Sequence, residues 1–506
     1  MVNLANYKYY FALLIITSIT LYFSWVGFIS SDDSYYVSSG LGWLYKFPYV
    51  ATHIGTIRAG IGIPIALIIK LFGESEFTAT LSTCIFLIAT TSVTLAMLAR
   101  AIGYSAALIT SAILATIPLF AIQSTIPNAD TPELFFVVSS FWLFWLACQK
   151  ENNRLWLLLL AGVSAAFAFS AHELTIALLI FYGVLFSVGF GIKRKEYWLM
   201  AIGFLAIIGI ECIYYWVMTG DPLYRFSFAL KGIGSEGDRV EVGFLQMSDS
   251  GTLHIWDPID PLIMFFSNHY FGLLGFLMIP TFWWVLIKDH HSQSLQSTLA
   301  RLILCLGIVW FLVAAIELRN LKLLPRYYMV AAYCFFVASA IWVYVNIWPQ
   351  RKKLVAAGIV TFVAVNFGLI FVENKNPRFA ERALVEYLGE SQGPIYTDPL
   401  TAANTKFFCR WASQDCGRIL VAPPVSGSTY FYNPKSADHP NRLVSPDQVK
   451  LYKANKQWQV IWEKKATRKA GALFTEKLGI MPRLPPVLIS KLEGPNTAVF
   501  VYTVPE

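Results

Sequence analysis

The chain has 506 residues, of which 56% are hydrophobic, 16% aromatic and only 14% charged, with a mean hydropathy of +0.55. A soluble protein has no interior large enough to hide that much apolar surface, whereas a bilayer accepts it. The formal charge of +8 says less than where Lys and Arg fall, because basic residues gather in cytoplasmic loops.

A membrane helix needs about 17–25 mostly apolar residues. Runs of that kind lie near 9–29, 78–99, 104–122, 133–148, 155–171, 174–191, 197–217, 263–287, 300–316, 326–346 and 354–372, so about eleven spans are expected. No small-residue cleavage site clearly follows the first run, which reads as an uncleaved anchor. Residues 59–73 (AGIGIPIALIIKLFG) carry Lys70. As a helix they would reach about 22 Å, short of a hydrocarbon core of about 30 Å. Loop charge decides their place. With a cytoplasmic N-terminus and 59–73 not crossing, one set of basic residues shares the inner side: Arg100, Lys150, Arg154, Lys193-Arg194-Lys195, Lys288, Arg301 and Arg351-Lys352-Lys353. The positive-inside rule asks for that arrangement, and a crossing at 59–73 would reverse it. Residues 59–73 are therefore read as a helix lying at the outer surface or dipping into it.

The expectation is a multi-pass protein of the inner or plasma membrane, N-terminus cytoplasmic and C-terminus extracytoplasmic. Residues 1–372 would form an all-α membrane domain with outer juxtamembrane helices. The two large outer stretches are a loop at about 218–262 and a tail at 373–506. The tail has balanced charge, Pro and Gly punctuation and alternation such as Ala498-Val499-Phe500-Val501-Tyr502, and reads as a mixed α/β domain. Cys84, Cys148, Cys212, Cys305 and Cys334 lie in apolar runs as small core residues. Cys409 and Cys416, seven apart in an oxidising compartment, are either a disulfide or a free pair. There is no internal repeat and no low-complexity segment.

Polar residues that the bilayer does not explain gather near span ends on the outer side. Asp32 and Asp33 follow the first run in Ser-Ser-Asp-Asp-Ser-Tyr-Tyr. They are either a solvated helix-end pair or, beside Tyr35 and Tyr36, a general base and a partner that orients the acceptor. Asp130 and Glu133 stand in Pro-Asn-Ala-Asp-Thr-Pro-Glu, as a helix N-terminus or as substrate ligands. His172 and Glu173 lie where two short apolar runs turn. Lipid exposure there is costly, so they face a protein pocket or its mouth, as a structural tie or as a site. Arg326 opens a span in Leu-Pro-Arg-Tyr-Tyr, after Glu317, Arg319 and Lys322. It is an interfacial anchor or a phosphate clamp, for which its planar fork is suited. His269, in Asn-His-Tyr-Phe-Gly, opens another span, where a lone histidine more often serves structure. Carboxylates that activate a hydroxyl and cations that hold a phosphate, on one face, suit transfer from a lipid-phosphate donor.

Four segments carry a family resemblance: Asp32-Asp33-Ser34-Tyr35-Tyr36 after the first span, Ile68-Ile69-Lys70-Leu71-Phe72-Gly73-Glu74-Ser75, Pro127-Asn128-Ala129-Asp130 and Pro325-Arg326-Tyr327-Tyr328. Over roughly residues 8–345 the chain resembles the GT-C superfamily of integral-membrane glycosyltransferases. It is similar to the branch holding protein O-mannosyltransferases and the lipid A aminoarabinose transferase. The resemblance implies a GT-C-like helical domain and a hexosyl or pentosyl sugar passed from a polyprenyl-phosphate carrier. The acceptor would be a protein, lipid or polysaccharide on the extracytoplasmic side, by single inverting displacement. It implies Asp32 as base with Asp33 assisting, Asp130 positioning substrate or holding a divalent metal, and Arg326 on the donor phosphate; Glu133, His172, Glu173, His269, His53 and Arg58 are candidate substrate-binding residues. Relatives often carry a Lys in the broken helix pair and a Pro-Pro-Leu stretch closing the first loop. Here those places read Ser-Ala-His-Glu and His53-Ile54-Gly55-Thr56-Ile57-Arg58.

The bare chemistry agrees. A lipid phosphate is already a leaving group, so the protein needs proximity, a base and phosphate stabilisation. No phosphate-cradling glycine loop is present, no other cofactor is implied and no nucleic-acid partner is expected. The competing class is a transporter or lipid flippase, which would show repeated halves and mid-membrane ionisable groups. A third is an assembly protein working through its tail.

Overall fold

The structure, a computed structural model, describes residues 6–149, 153–227, 259–288, 294–317, 324–373, 376–438, 443–455, 457–466, 475–477, 479, 481–484, 486, 489 and 498–506. Lys150, Arg319, Lys322 and most of the 218–262 loop lie outside these. The chain divides into two compact units. The first comprises Met1–Trp25, Asp32–Gly73 and Thr78–Ile370; the second comprises Val26–Ser31, Glu74–Phe77 and Phe371–Glu506.

The helices before the sheet are α1 (Tyr7–Ser24), α2 (Asp32–Tyr45), α3 (Ala59–Phe72), α4 (Glu76–Ile102), α5 (Tyr104–Thr116), α6 (Pro118–Gln123), α7 (Asp130–Gln149), α8 (Arg154–Ala171), α9 (Ile176–Val188), α10 (Arg194–Thr219), α11 (Asp260–Ser267), α12 (Leu274–Trp283), α13 (Leu295–Glu317), α14 (Met329–Trp342), α15 (Lys352–Val372) and α16 (Phe379–Glu390). By length and composition seven helices among the described residues suffice to cross a membrane, and four apolar helices are shorter: Ala59–Phe72, Tyr104–Thr116, Glu173–Val188 and Leu274–Trp283. The chain is a multi-pass integral membrane protein.

Backbone chemistry breaks three expected runs. The run 9–29 stays apolar, but the helix ends at Ser24 and positive φ at Gly27 and Ser30 turns the chain. Pro118 holds Ile117 extended and divides 104–122 into α5 and α6. Extended Asn268, whose side chain accepts from Tyr270 N–H at 3.0 Å, and Gly272 at φ 57° divide 263–287.

Close packing follows small residues. A Cβ on Gly162 would stand 2.0 Å from Met200 O, and one on Gly203 2.2 Å from Leu159 O. The backbones of α8 and α10 thus touch where glycine permits, the usual route to tight association where lipid tails remove the hydrophobic incentive. The core of the first unit is aromatic, with Trp310, Tyr328, Phe120, Phe144, Phe181, Phe265, Phe271 and Phe335 fully buried.

The second unit carries a five-stranded mixed sheet in the order β2-β1-β3-β5-β4, formed by β1 (Ile395–Thr397), β2 (Ile419–Val421), β3 (Thr429–Tyr432), β4 (Gln459–Lys464) and β5 (Val499–Thr503). β1 runs parallel to β2 and β3, while β5 is antiparallel to β3 and β4. The alternation at 498–502 becomes β5, with Val499 and Val501 buried. Helix α17 (Pro399–Trp411) starts at Asp398, whose carboxylate accepts from Leu400 and Thr401 N–H. Cys409 and Cys416 are disulfide-bonded, Cα atoms 5.8 Å apart.

Two short early segments belong to this unit. Phe28 is fully buried against the rings of Phe407, Phe408 and Trp411, and its N–H donates to Glu76 Oε1 at 2.8 Å. Arg382 forks onto both Glu76 oxygens at 2.5 Å, and Arg410 pairs with Glu74. The Gly73-Glu74-Ser75 motif therefore supplies a structural tie here.

Candidate active site

Most of the polar residues singled out above meet within the first unit. Asp32 and Asp33 form the first turn of α2. Adjacent helix positions point about 100° apart, so the pair divides. Asp33 is buried, whereas 42% of the Asp32 side chain is exposed. Asp32 Oδ2 accepts a hydrogen bond from Arg326 Nη2. Arg326 comes from the short turn Pro325–Tyr328 that opens α14. Its Nε stands 3.7 Å from Asp130 Oδ2, and its guanidinium lies 5.4 Å from the Tyr327 ring centroid.

Asp130 is free to face Arg326 because another residue caps α7. Asn128 Oδ1 accepts from Thr131 N–H at 2.9 Å, the satisfying contact a helix start needs. Asp130 is 4% exposed, and its Oδ1 has no hydrogen-bond partner among the described residues. One turn on, Glu133 Oε1 accepts from Thr175 Oγ1 at 2.8 Å and lies 3.7 Å from His172 Nδ1. His172 is extended and ends α8. Its Nδ1 accepts from Leu174 N–H at 3.2 Å, so in the neutral ring the proton sits on Nε2. The His172 ring lies 5.8 Å from that of Tyr327.

A second cluster adjoins the first through Tyr36. Arg58 donates to Tyr36 Oη at 2.8 Å and to Glu173 Oε2 at 2.8 and 3.1 Å. Gly60 permits this approach: a Cβ there would stand 2.5 Å from Ala171 N. Burial pushes the Tyr36 hydroxyl well above its ordinary value, so it keeps its proton while it accepts from Arg58. Arg225 donates to Glu173 Oε1 at 3.1 Å, to Glu211 Oε1 at 2.9 Å and to Phe169 O at 2.7 Å. Burial alone would raise the Glu173 carboxyl, but Arg58 and Arg225 override it and hold it down to about 2.

Two candidates fall elsewhere. His53 stacks on Tyr35 at 3.8 Å and 7°, its Nδ1 accepting from Gly55 N–H at 3.0 Å. His269 lies in the turn His269–Phe271 against Tyr270, and the ion pairs above do not include it. Conversely, sequence reasoning passed over Arg225 and Glu211. Glu211 had a usable signal: a carboxylate in the apolar run Ile-Gly-Ile-Glu-Cys-Ile has to be paired in a membrane.

A divalent metal at Asp130 does not fit these residues. Among the described residues no three His, Cys, Asp or Glu side chains gather into a metal-holding group, and the Arg326 cation stands beside Asp130 Oδ2.

Residues 62–216 match the family model described as dolichyl-phosphate-mannose-protein mannosyltransferase. No curated protein matches the chain by sequence. Among solved structures, ArnT from Cupriavidus metallidurans bound to undecaprenyl phosphate is 12% identical with a TM-score of 0.56, covering 85% of this chain and 93% of that one. Its apo state gives 11% identity, a TM-score of 0.55 and 85% and 92% coverage. The oligosaccharyltransferase of Archaeoglobus fulgidus in complex with Zn and sulfate is 12% identical with a TM-score of 0.50, covering 78% of this chain and 61% of that one. At these identities the likeness is one of fold. The chain has the GT-C fold that its motifs pointed to, and the resemblance to the branch of the mannosyltransferases and ArnT is borne out.

Proposed function

We propose that this chain is a membrane glycosyltransferase that moves a sugar from a polyprenyl-phosphate donor to an acceptor hydroxyl on the extracytoplasmic side, with Asp32 as the base. The observation that carries the reading is the contact of half-exposed Asp32 with Arg326, beside buried Asp130. A base and a phosphate-binding cation stand within one hydrogen bond of each other.

The arrangement supports a concrete sequence of events. A donor phosphate competes for the Arg326 fork, which suits phosphate better than a single carboxylate oxygen. Arg326 then releases Asp32, whose carboxylate takes the proton as the acceptor oxygen bonds to the anomeric carbon. The bond from that carbon to the phosphate oxygen breaks, and the leaving polyprenyl phosphate stays on Arg326. The unpartnered Asp130 Oδ1 accepts from a sugar hydroxyl and orients the ring. Tyr36, fixed by Arg58, walls the site beside Asp32. Asp33, buried one position on, supports the first turn of α2. The family model and the structure of ArnT with undecaprenyl phosphate support a lipid-phosphate donor.

The test is Asp32→Asn, which keeps shape and removes the base. Loss of the glycan product at an unchanged protein level is the expected outcome; transfer at the wild-type rate would remove Asp32 from this role.

A further inference from the structure

Helices α8, α9 and α10 enclose a cavity of about 350 Å³ that plays no part in the site above. Ala165 of α8, Leu179 and Gly183 of α9, and Ala201 and Leu205 of α10 line it. Small residues make the room: a Cβ on Gly183 would meet nothing within 4 Å. Leu205 is 62% exposed and Trp198, on the same wall, 65%, so the cavity is a groove open to the bilayer. One end is closed by Phe186 and Tyr197, whose rings meet edge to face at 5.8 Å. From Tyr197 to Leu205 the wall rises about 12 Å, close to the hydrocarbon depth of one leaflet, about 15 Å.

The closed end is where the charge lies. Residues 189–193 turn the chain from α9 into α10, which brings Lys193, Arg194 and Lys195 to that end. Arg194 Nη2 donates to Ser187 O at 2.8 Å, one residue beyond Phe186, so its guanidinium sits at the mouth of the groove. All three cations are exposed. Glu196, the carboxylate next to them, is engaged by Arg154 at 3.6 Å and by the Lys193 N–H at 3.3 Å. His172 and Glu173 follow the opposite end of α8, a helix of 18 residues and so about 27 Å long. The groove therefore does not serve a phosphate at Arg326.

We propose that this groove binds an anionic glycerophospholipid of the leaflet read as cytoplasmic, with one acyl chain along Gly183 and the phosphate on Arg194. Lys193 and Lys195 add charge around the headgroup. Basic pockets between membrane helices hold acidic headgroups, because each Lys or Arg attracts a net negative lipid and gains nothing comparable from a zwitterionic one. The apolar wall supplies the other half, since a lining with no atoms against it forfeits its dispersion contacts until a chain fills it. A polyprenyl phosphate is the poorer occupant, its phosphate being required at the other end of α8. The proposal stands independently of the reading of Asp32 as the base.

The test titrates the purified full chain in detergent with dioleoyl phosphatidylglycerol and, separately, with dioleoyl phosphatidylcholine. Native mass spectrometry reads the affinity for the first bound lipid. Wild type is expected to hold phosphatidylglycerol about 25-fold more tightly, two engaged cations at about fivefold each. Arg194→Gln should weaken phosphatidylglycerol about fivefold and leave phosphatidylcholine unchanged. Gly183→Leu, which occupies the groove and suits a helix better than glycine, should erase saturable binding of the first phosphatidylglycerol. Where Gly183→Leu fails to accumulate, Ala201→Leu fills the groove from the α10 wall and is read in the same way. Equal affinity of wild type for the two lipids overturns the proposal. So does wild-type phosphatidylglycerol binding in Arg194→Gln, which takes the headgroup away from this place, or in the groove-filling variant, which leaves only a basic surface. Displacement of the bound phosphatidylglycerol by an equal amount of undecaprenyl phosphate would overturn it too, giving the groove to a polyprenyl chain.

Discussion

Arg225→Gln tests the energetic reading of the second charge cluster. Arg225 is almost wholly buried and meets Glu211 at 2.9 and 3.3 Å, Glu173 at 3.1 Å and Phe169 O at 2.7 Å. Glu173 would keep Arg58 at 2.8 Å, so its loss is partial. Glu211, with 15% of its side chain exposed, would keep only Ser170 Oγ at 3.5 Å among the described residues. Breaking one side of a buried pair costs about 3–5 kcal/mol. The surviving Arg58 and the partial exposure of Glu211 put this case near the low end, at about 3 kcal/mol. For a unit of this size that is a fall of about 4 °C in Tm. Thermal unfolding of the detergent-purified protein, followed with a thiol-reactive dye, reads it directly. The double variant Glu211→Gln/Arg225→Gln removes both charges and should recover more than half of the loss. An Arg225→Gln protein within about 1 °C of wild type, or a double variant that falls further, would refute the assignment.

Arg326→Lys should raise the half-saturating donor concentration about tenfold, the worth of one charge-assisted hydrogen bond, because an ammonium has no planar fork; donor titration checks it. Alkylation of the denatured chain without reductant should add five labels, at Cys84, Cys148, Cys212, Cys305 and Cys334, and reductant should raise this to the seven cysteines of the sequence. Gly203→Ala should cost about 1–3 kcal/mol by pushing α10 off Leu159 O. Gly209→Ala on the same helix, where a Cβ meets nothing within 4 Å, should be neutral or mildly stabilising in the same melts.

Asp32, Asp130 and Arg326 were legible from sequence because each is a charge placed at the end or the start of an apolar run, and a membrane leaves such residues few structural uses. Their convergence on one another was not legible, since hydropathy ranks segments and carries no information about which span ends meet. Arg225 escaped because it stands in a stretch read as a solvated loop, although it is folded back onto α8 and α10. Glu74 misled in the other direction. It belongs to a motif that carries the resemblance, yet its carboxylate is engaged by Arg410. Span limits failed where one residue overruled composition, as Pro118 and Asn268 do. The sheet was visible only as alternation at 498–502, because three of its strands have three or four residues, too few for a period to register.

The three-segment make-up of the second unit has a consequence for biogenesis. Ser30 waits for a partner 374 positions later in the chain, Glu74 for one 336 positions later and Glu76 for one 306 positions later. During synthesis those early side chains emerge long before the residues that complete them, so this unit closes last, after every helix between has been made. A separately produced 371–506 fragment would lack Phe28 from beneath Trp411 and the anionic partners of Arg382 and Arg410. Supplying it in trans to a chain cut at 370 would therefore amount to fragment complementation rather than the docking of a finished domain.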